Sequence, residues 1–320
     1  MAVAVGLITA FFALELASRP AVHTDFEYIW RAARLWSAGV DPYAIEPRSA
    51  WLRVWPLPDP LFYPLPALML VWPLHWLPQG VATAIFVAVP AALLVWRLSA
   101  EALWPLIALA SPSFVMAVVL GQWTPWLLLA MLWPTVGFLL ASKPTIGAAC
   151  FAYRPTLSAF LGGVVLVALS LLLWPGWPVM WLDNLTAVVE HPSPIVTPFG
   201  WILSLAVLRW RRSEARLLLA MACVPQLLLF ADQLPLMLVA RSKREATLLT
   251  VGGWIASLFW YVRDADKLGA VSFAAPYVMA GVYLPALWIV LRQPNAGRIP
   301  TWLERRIGGS PGWLRGAATR

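Results

Sequence analysis

The chain contains few residues of the kinds that build disulfide frameworks and metal centres. Cysteine occurs 2 times and histidine 3 times in 320 residues. Cys150 and Cys223 stand singly inside apolar runs without CxxC spacing, and the histidines are far apart in the sequence. Disulfide bonds and a His/Cys metal site are therefore not expected. No metal ligand and no cofactor is predicted, and the sequence leaves open whether a divalent metal is required.

Charge is scarce as well. Asp, Glu, Lys and Arg together make up 12% of the residues, against roughly 25% in soluble domains. Hydrophobic residues make up 61%, and many apolar runs approach the roughly 20 residues that a helix needs to cross a membrane. This composition excludes a sizeable soluble domain. We expect an all-α protein, one polytopic transmembrane bundle over residues 1–320 with about 9–11 transmembrane or half-membrane helices.

The sequence also lacks internal repeats, low-complexity stretches and flexible linkers, so nothing divides the expected bundle. Proline interrupts several of the apolar segments. Because a broken helix in a membrane needs protein or water to satisfy its backbone, we expect bends and half-helices inside the bundle. The apolar segments are 3–18, 61–78, 80–97, 103–120, 123–142, 156–174, 199–210, 217–240, 246–262 and 271–291.

The net charge of +8 comes from basic residues in short loops and in the tail 292–320. This distribution fits the positive-inside rule better than a surface for nucleic acid, which is not expected as a partner. It predicts a multi-pass protein of the plasma membrane with cytoplasmic N- and C-termini. The first outer loop, 19–60, and the loop 175–198 then face the outside. The first run lacks a basic n-region and a cleavage motif, which favours an uncleaved first helix.

A capping box, the sequence TDFE, occupies residues 24–27 after the first apolar run. In such a box the first side chain accepts a hydrogen bond from the backbone N–H three residues on, so a helix is predicted to begin at Asp25. Apolar and charged residues alternate at helical spacing, with Glu27 and Arg31 on the polar face, and Gly39 is placed to end the helix. We expect an amphipathic helix on the outer membrane surface.

Two carboxylates stand out by position. Asp25 lies in the first turn of the amphipathic helix, where the positive helix end keeps a carboxylate ionised and able to accept a proton from a sugar hydroxyl. The alternative is that Asp25 only favours the helix start. Asp232 is bracketed by Pro225 and Pro235 in segment 217–240, which we expect to turn back with Asp232 at its tip. A charged residue at such a place is a candidate for function.

The order of several short motifs resembles a bacterial family. Asp25 is followed by AARLWSAGVDPY, which ends at Tyr43, then by LFYPLPALML from Leu61, GQ at Gln122 and KP at Lys143. This order resembles the GT-C fold glycosyltransferases that include polyprenol-phosphate-mannose-dependent alpha-mannosyltransferases and mycobacterial alpha-arabinofuranosyltransferases. The resemblance covers residues 1–155 well and the rest weakly. The chain departs from the family in a short interval between GQ and KP, a brief loop 175–198, and YPLP in place of YPP.

The resemblance implies transfer of a mannose- or arabinofuranose-like sugar from a polyprenyl phosphate to a lipid or glycan acceptor of the cell envelope, among membrane lipids. It implies Asp25 as the catalytic base. Lys143 is the first choice for holding the donor phosphate, although a lysine there can also snorkel to the interface. Gln122 equally suits a helix cap, and Arg31 equally suits lipid headgroups. The other candidate substrate contacts are Tyr28, Tyr63, Asp232 and His191, and Gly39, Asp41, Pro42 and Tyr43 are expected to shape the loop.

Two other functions fit parts of the pattern. A transporter or lipid flippase also has broken helices with isolated charges along its substrate path. A non-catalytic membrane subunit of the same fold would explain the weak resemblance of the second half. The lack of an internal repeat and the amphipathic outer loop favour the enzyme. A groove for a lipid tail that leads to Asp25 would distinguish the enzyme from both alternatives.

Overall fold

A computed structural model describes residues 1–18, 24–44, 61–100, 102–186, 192–264 and 273–297. Within these ranges all regular secondary structure is helical, as the composition predicts. Short 3-10 helices and one π-helix separate many of the α-helices. The α-helices are α1 Ala2–Ala17, α2 Asp25–Ser37, α3 Leu65–Val71, α4 Gln79–Leu98, α5 Pro112–Val119, α6 Thr124–Leu132, α7 Pro144–Tyr153, α8 Leu157–Leu173, α9 Trp177–Thr186, α10 Ser213–Cys223, α11 Lys243–Asp264, α12 Ala275–Val278 and α13 Leu284–Arg292. The other helices are Trp72–Leu74, Trp104–Ala110, Pro134–Ser142, Pro194–Val196, Gly200–Arg209, Phe230–Val239 and the π-helix Met279–Tyr283.

Two helices in the described ranges are long and apolar enough to cross a membrane. They are α4 and the continuous helix Ala275–Arg292. The helices α8 and α9 are bent by 102° relative to each other, and they add a third candidate if the pair is counted as one broken span. The remaining apolar helices are shorter. Membrane-spanning character is therefore present, with fewer full-length candidates than the helix count expected from the apolar runs.

Proline explains why many apolar segments are divided. Pro112, Pro125, Pro134 and Pro144 each occupy one of the first two positions of a helix. Proline fits there because the first N–H groups of a helix have no internal partner, but it cannot continue a preceding helix. The bends predicted from these prolines are present. One of the breaks, before Pro144, places a polar residue between two apolar helices.

The loops that the charge pattern assigns to the two sides of the membrane lie at opposite ends of α8. This helix has 17 residues and is about 25 Å long. Near its start, the Arg216 guanidinium donates to the carbonyl oxygen of Tyr153 at 3.3 Å. Beyond its end, Trp181 Nε1 donates to the carbonyl oxygen of Phe62 at 2.8 Å. Basic loops therefore gather at one end, and the loops around 62 and 181 gather at the other.

The amphipathic helix α2 begins at Asp25, as predicted, and the Thr24 hydroxyl accepts from the backbone N–H of Glu27 at 3.3 Å. Its apolar face packs inside the protein rather than on lipid. The Phe26 ring stacks on Phe86 with 4.4 Å between centroids. Glu27, expected on the exposed polar face, is buried and forms an ion pair with Arg31. The expectation of a helix lying on the membrane surface was wrong because α3 and α4 already cover its apolar side.

Candidate functional site

The start of α2 lies against the end of α5. The backbone N–H of Asp25 donates to the carbonyl oxygen of Leu120 at 2.8 Å. The next residue, Gly121, has φ +62°, and a Cβ there would lie 2.8 Å from the Cβ of Phe26. Glycine alone accommodates this backbone angle and this approach without strain. The glycine of the GQ motif therefore brings Asp25 next to Gln122.

One oxygen of the Asp25 carboxylate accepts two hydrogen bonds. The Tyr63 hydroxyl donates to Oδ2 at 3.0 Å, and Gln122 Nε2 donates to the same atom. Within the described ranges no donor bonds the other oxygen, Oδ1. The carboxylate is thus held at one atom and able to accept a proton at the other.

Lys143 lies at the break between the helix Pro134–Ser142 and α7. Its Nζ donates to Gln122 Oε1 at 3.2 Å and forms an ion pair with Asp232 Oδ1 at 2.5 Å. The Lys143 side chain is 18% exposed, whereas that of Asp232 is 4% exposed. The anionic partner that a lysine needs in such surroundings is therefore supplied by the protein itself.

Asp232 lies in the first turn of the helix Phe230–Val239. Segment 217–240 is divided as expected, but Asp232 follows the break at 224–229 instead of forming its tip. The Thr124 hydroxyl, two residues after Gln122, donates to the carbonyl oxygen of Ala231 at 2.8 Å. This bond holds the Asp232 segment beside the start of α6.

These side chains form one connected group, here called the Asp25–Asp232 network. Gln122 joins its two halves with matched polarity, since its amide N–H groups face a carboxylate and its carbonyl faces the ammonium group. Two carboxylates and one ammonium leave a net charge of −1 when all three are ionised. The members are Asp25, Tyr63, Gln122, Lys143 and Asp232.

Burial raises the pKa of Asp25 above the range of an ordinary aspartate. The positive charge of Lys143 and the hydrogen bonds donated by Tyr63 and Gln122 act in the opposite direction, because they stabilise the ionised form. The sequence-based expectation considered only the helix end and missed the effect of burial. A raised pKa makes Asp25 a stronger base than an exposed aspartate.

The loop after α2 supports Tyr63. Gly39 has φ +75° and follows the last turn of α2, and Pro42 lies inside the loop. Asp41 Oδ1 accepts from the backbone N–H of Tyr43 at 2.8 Å. The Tyr43 hydroxyl then donates to the carbonyl oxygen of Tyr63 at 3.0 Å. Asp41 and Tyr43 thus link the loop to a member of the network.

Two further residues expected near substrate, Arg31 and Tyr28, lie on α2 outside the Asp25–Asp232 network. Arg31 pairs with Glu27 at 2.6 Å along α2. Tyr28 is half-buried on the same helix, and the hydrogen bonds to Asp25 come from the network instead. His191 lies outside the described residues.

Two contributions were not foreseen in the sequence. Gly121 was noted only as part of a motif, and its role depends on a contact with Phe26 that lies 95 positions earlier in the chain. Thr124 carried no signal, because a threonine at a helix start is common. The available clue was a glycine at the end of an apolar segment, since glycine is common where the chain leaves a helix with a positive φ, as Gly121 does.

No group of three or more His, Cys, Asp or Glu side chains in the described part of the chain is arranged to hold a metal ion. Comparisons with family models, curated proteins and solved structures find no match for the chain. Arguments about function therefore rest on the geometry of the network and on the order of motifs in the sequence.

Proposed function

We propose that the protein is a membrane glycosyltransferase with a GT-C-like polytopic fold, which moves a sugar from a polyprenyl phosphate to a lipid or glycan acceptor. The observation that carries this proposal is the connection of Asp25 to Lys143 through Gln122. A candidate base and a candidate phosphate ligand, 118 positions apart, lie in one hydrogen-bonded group. The motifs that suggested the family, at Asp25, Gln122 and Lys143, are the ones that meet in space.

In the proposed reaction Asp25 is the general base. An acceptor hydroxyl attacks the anomeric carbon of the donor, and Asp25 Oδ1 takes its proton. The bond between the anomeric carbon and the phosphate oxygen breaks, and the lipid phosphate leaves as an anion. Tyr63 and Gln122 hold the carboxylate in place through Oδ2. The proposed reaction inverts the anomeric centre, since the hydroxyl attacks on the side of the carbon opposite to the leaving phosphate.

Lys143 is proposed to stabilise the leaving phosphate. A lysine ammonium has three N–H donors, and Gln122 and Asp232 use two of them in the described structure. The third remains for a phosphate oxygen, where a charge-assisted hydrogen bond is strong. Asp232 orients Lys143, so we assign it a positioning role rather than contact with the sugar.

The orientation proposed for the chain places this site on the outer face of the plasma membrane, with both termini in the cytoplasm. The separation of basic loops from the 62 and 181 loops along α8 supports it. Tyr63 comes one residue after Phe62 and donates to Asp25, so the proposed orientation puts the Asp25–Asp232 network on the side of the loops around 62 and 181.

The deciding experiment is sugar transfer by purified protein in lipid vesicles, with polyprenyl-phosphate mannose and the arabinofuranose donor tested separately. Asp25→Asn should keep the helix start and lose the proton acceptor, so transfer should fall at least about a hundredfold. Asp183→Asn, on an exposed position of α9, serves as the matched control and should retain wild-type transfer. Near wild-type transfer by Asp25→Asn would return Asp25 to a purely structural role.

A transporter or flippase is the alternative that one observation favours. Lys143 and Asp232 form a largely buried ion pair between two interrupted segments, a combination that also occurs along transport paths. Translocation of a fluorescent polyprenyl-phosphate sugar across vesicles that contain no acceptor would support this alternative. If the wild-type protein shows neither transfer nor translocation, a non-catalytic subunit is favoured.

A further inference from the structure

We propose that helix α9 holds Tyr63 in the position from which it donates to Asp25. Two side chains of α9, Trp181 and Asn184, donate hydrogen bonds to the backbone just before Tyr63. They are assigned as positioning residues, because they act on the carboxylate through Tyr63. Their effect on transfer rests on the proposed function, whereas their effect on Tyr63 does not.

The segment 61–63 depends on side chains for its hydrogen bonds. It precedes α3 and belongs to no helix, so its carbonyl groups lack the partners that a helix provides. Asn184 Nδ2 donates to the carbonyl oxygen of Leu61 at 3.4 Å. Trp181 Nε1 donates to the carbonyl oxygen of Phe62 at 2.8 Å. Residues three positions apart share one face of a helix, so a single face of α9 fixes two neighbouring carbonyl groups.

Tyr63 itself is held at two points. Its carbonyl oxygen accepts from the Tyr43 hydroxyl at 3.0 Å, and its own hydroxyl donates to Asp25 Oδ2 at 3.0 Å. The Tyr43 ring packs against Trp174 at the end of α8, with 5.7 Å between ring centroids. Three consecutive carbonyl groups in segment 61–63 therefore accept from side chains outside the segment, and a displacement of α9 moves Tyr63 relative to Asp25.

The sharp bend between α8 and α9 brings α9 to this segment. The two helices are bent by 102° relative to each other, and Pro175 and Gly176 lie in the break. Proline cannot continue the helix that precedes it, so α8 ends here. Trp177 Nε1 donates to the Ser170 hydroxyl at 3.1 Å, and this hydrogen bond is buried. It fixes α9 across the end of α8.

The hydrogen bond from Tyr63 affects the proton affinity of Asp25. The charged groups that act on Asp25 are Lys143 and Asp232, and the neutral donors are Tyr63 and Gln122. Hydrogen bonds donated to a carboxylate stabilise its ionised form and lower its pKa. Displacing the Tyr63 hydroxyl should therefore raise the pKa of Asp25, while the other three groups keep their places.

Two variants remove the hydrogen bonds of α9 and keep most of the side-chain volume. Trp181→Phe keeps an aromatic ring without the N–H group, and Asn184→Leu removes the amide. Trp254→Phe is the matched control, because Trp254 Nε1 donates to the carbonyl oxygen of Ala110 at 2.7 Å on a different pair of helices. A general loss of stability should affect the control as well, whereas a loss of positioning should not.

The first measurement is the pH profile of kcat/KM for sugar transfer. Trp181→Phe and Asn184→Leu should move the acid side of the profile to higher pH by about 0.4–1 unit, the equivalent of one hydrogen bond. Trp254→Phe should keep the wild-type profile. In a protein that already carries Tyr63→Phe, Trp181→Phe should add no further shift, because the hydroxyl that it positions is gone.

The second measurement requires no transfer. Fluorotyrosine is incorporated at position 63, and its fluorine NMR signal is followed against pH in lipid nanodiscs without substrate. The signal should shift as Asp25 titrates, since Tyr63 donates directly to that carboxylate. The midpoint should be higher in Trp181→Phe and Asn184→Leu than in wild type, and unchanged in Trp254→Phe.

The two measurements separate the positioning role from the proposed reaction. Wild-type fluorine midpoints in both α9 variants would overturn the role of α9, and so would an equal shift in Trp254→Phe. Normal transfer together with unshifted midpoints would overturn it and leave the enzyme in place. A shifted midpoint in a protein without transfer would support the positioning of Tyr63 and reject the proposed reaction.

Discussion

At the scale of single residues, Lys143 and Asp232 depend on each other. Removing one partner of a buried ion pair leaves an uncompensated charge and costs about 3–5 kcal/mol, whereas replacing both partners is far less costly. Lys143→Met should therefore destabilise the protein, and Lys143→Met with Asp232→Leu should recover most of the loss. Thermal unfolding in one detergent measures this. A single variant as stable as wild type would contradict the ion pair.

This expectation revises a simpler one. If the donor phosphate were the only anion beside Lys143, as the sequence alone suggests, Lys143→Met would weaken donor binding far more than folding. The pairing with Asp232 means that the double variant, not the single one, is suited to measure donor binding.

The pH dependence of transfer follows from Asp25. The deprotonated carboxylate is the active form, so transfer should fall as the pH falls through its pKa, and burial places this fall at a higher pH than for an exposed aspartate. Tyr63→Phe removes a hydrogen bond to the ionised form, so it should raise the pKa and move the fall to still higher pH. The measurement is the pH profile of kcat/KM for both proteins. An unchanged profile in Tyr63→Phe would exclude Asp25 as the titrating base.

The members of the network were predictable from sequence to different degrees. Asp25 was recognisable from its place at a helix start, Asp232 as an isolated charge between two prolines, and Lys143 as a cation between apolar runs. Their mutual contacts were not predictable, because Lys143 and Asp232 are 89 positions apart. No local pattern encodes which of several distant polar residues will meet across a bundle.

At the scale of elements, the junction of α2 and α5 depends on Gly121. Alanine at a positive φ costs about 1–2 kcal/mol, and its Cβ would also press on Phe26. Gly121→Ala should lower stability by at least this amount and reduce transfer, because Asp25 and Gln122 move apart. Gly163→Ala, a glycine with open space around it, is the matched control and should not lower stability. Equal thermal unfolding of the two variants would show that the close approach is unimportant.

Helix starts were easier to predict than helix surroundings. The capping box located the start of α2, and the prolines located the breaks, since both signals act on the adjacent backbone. The partner of the apolar face of α2 was predicted wrongly, because lipid and the packed side chains of α3 and α4 attract the same residues. An amphipathic pattern predicts that the apolar face of a helix is shielded from water, but it does not distinguish shielding by lipid from shielding by other helices.

At the scale of the whole molecule, the sidedness can be tested by labelling single cysteines in a protein without Cys150 and Cys223. Thr186→Cys lies at the end of α9 and Ser242→Cys just before α11, and both positions are exposed. We expect an impermeant thiol reagent to label Thr186→Cys in intact cells and to reach Ser242→Cys only after the cells are opened. The reverse pattern would place the network on the cytoplasmic side.

The distance in sequence between Lys143 and Asp232 has a consequence for how the protein is made. The separation of 89 positions between the partners corresponds to about 4–18 s of synthesis at the usual rate of translation. During that time Lys143 has left the ribosome in an apolar region while its counter-charge does not yet exist. The insertion machinery or water must therefore solvate the ammonium group until residue 232 arrives. Chains stopped before that point should be recognised by quality-control proteases, and the ion pair between the two halves can form only after residue 232 has been made.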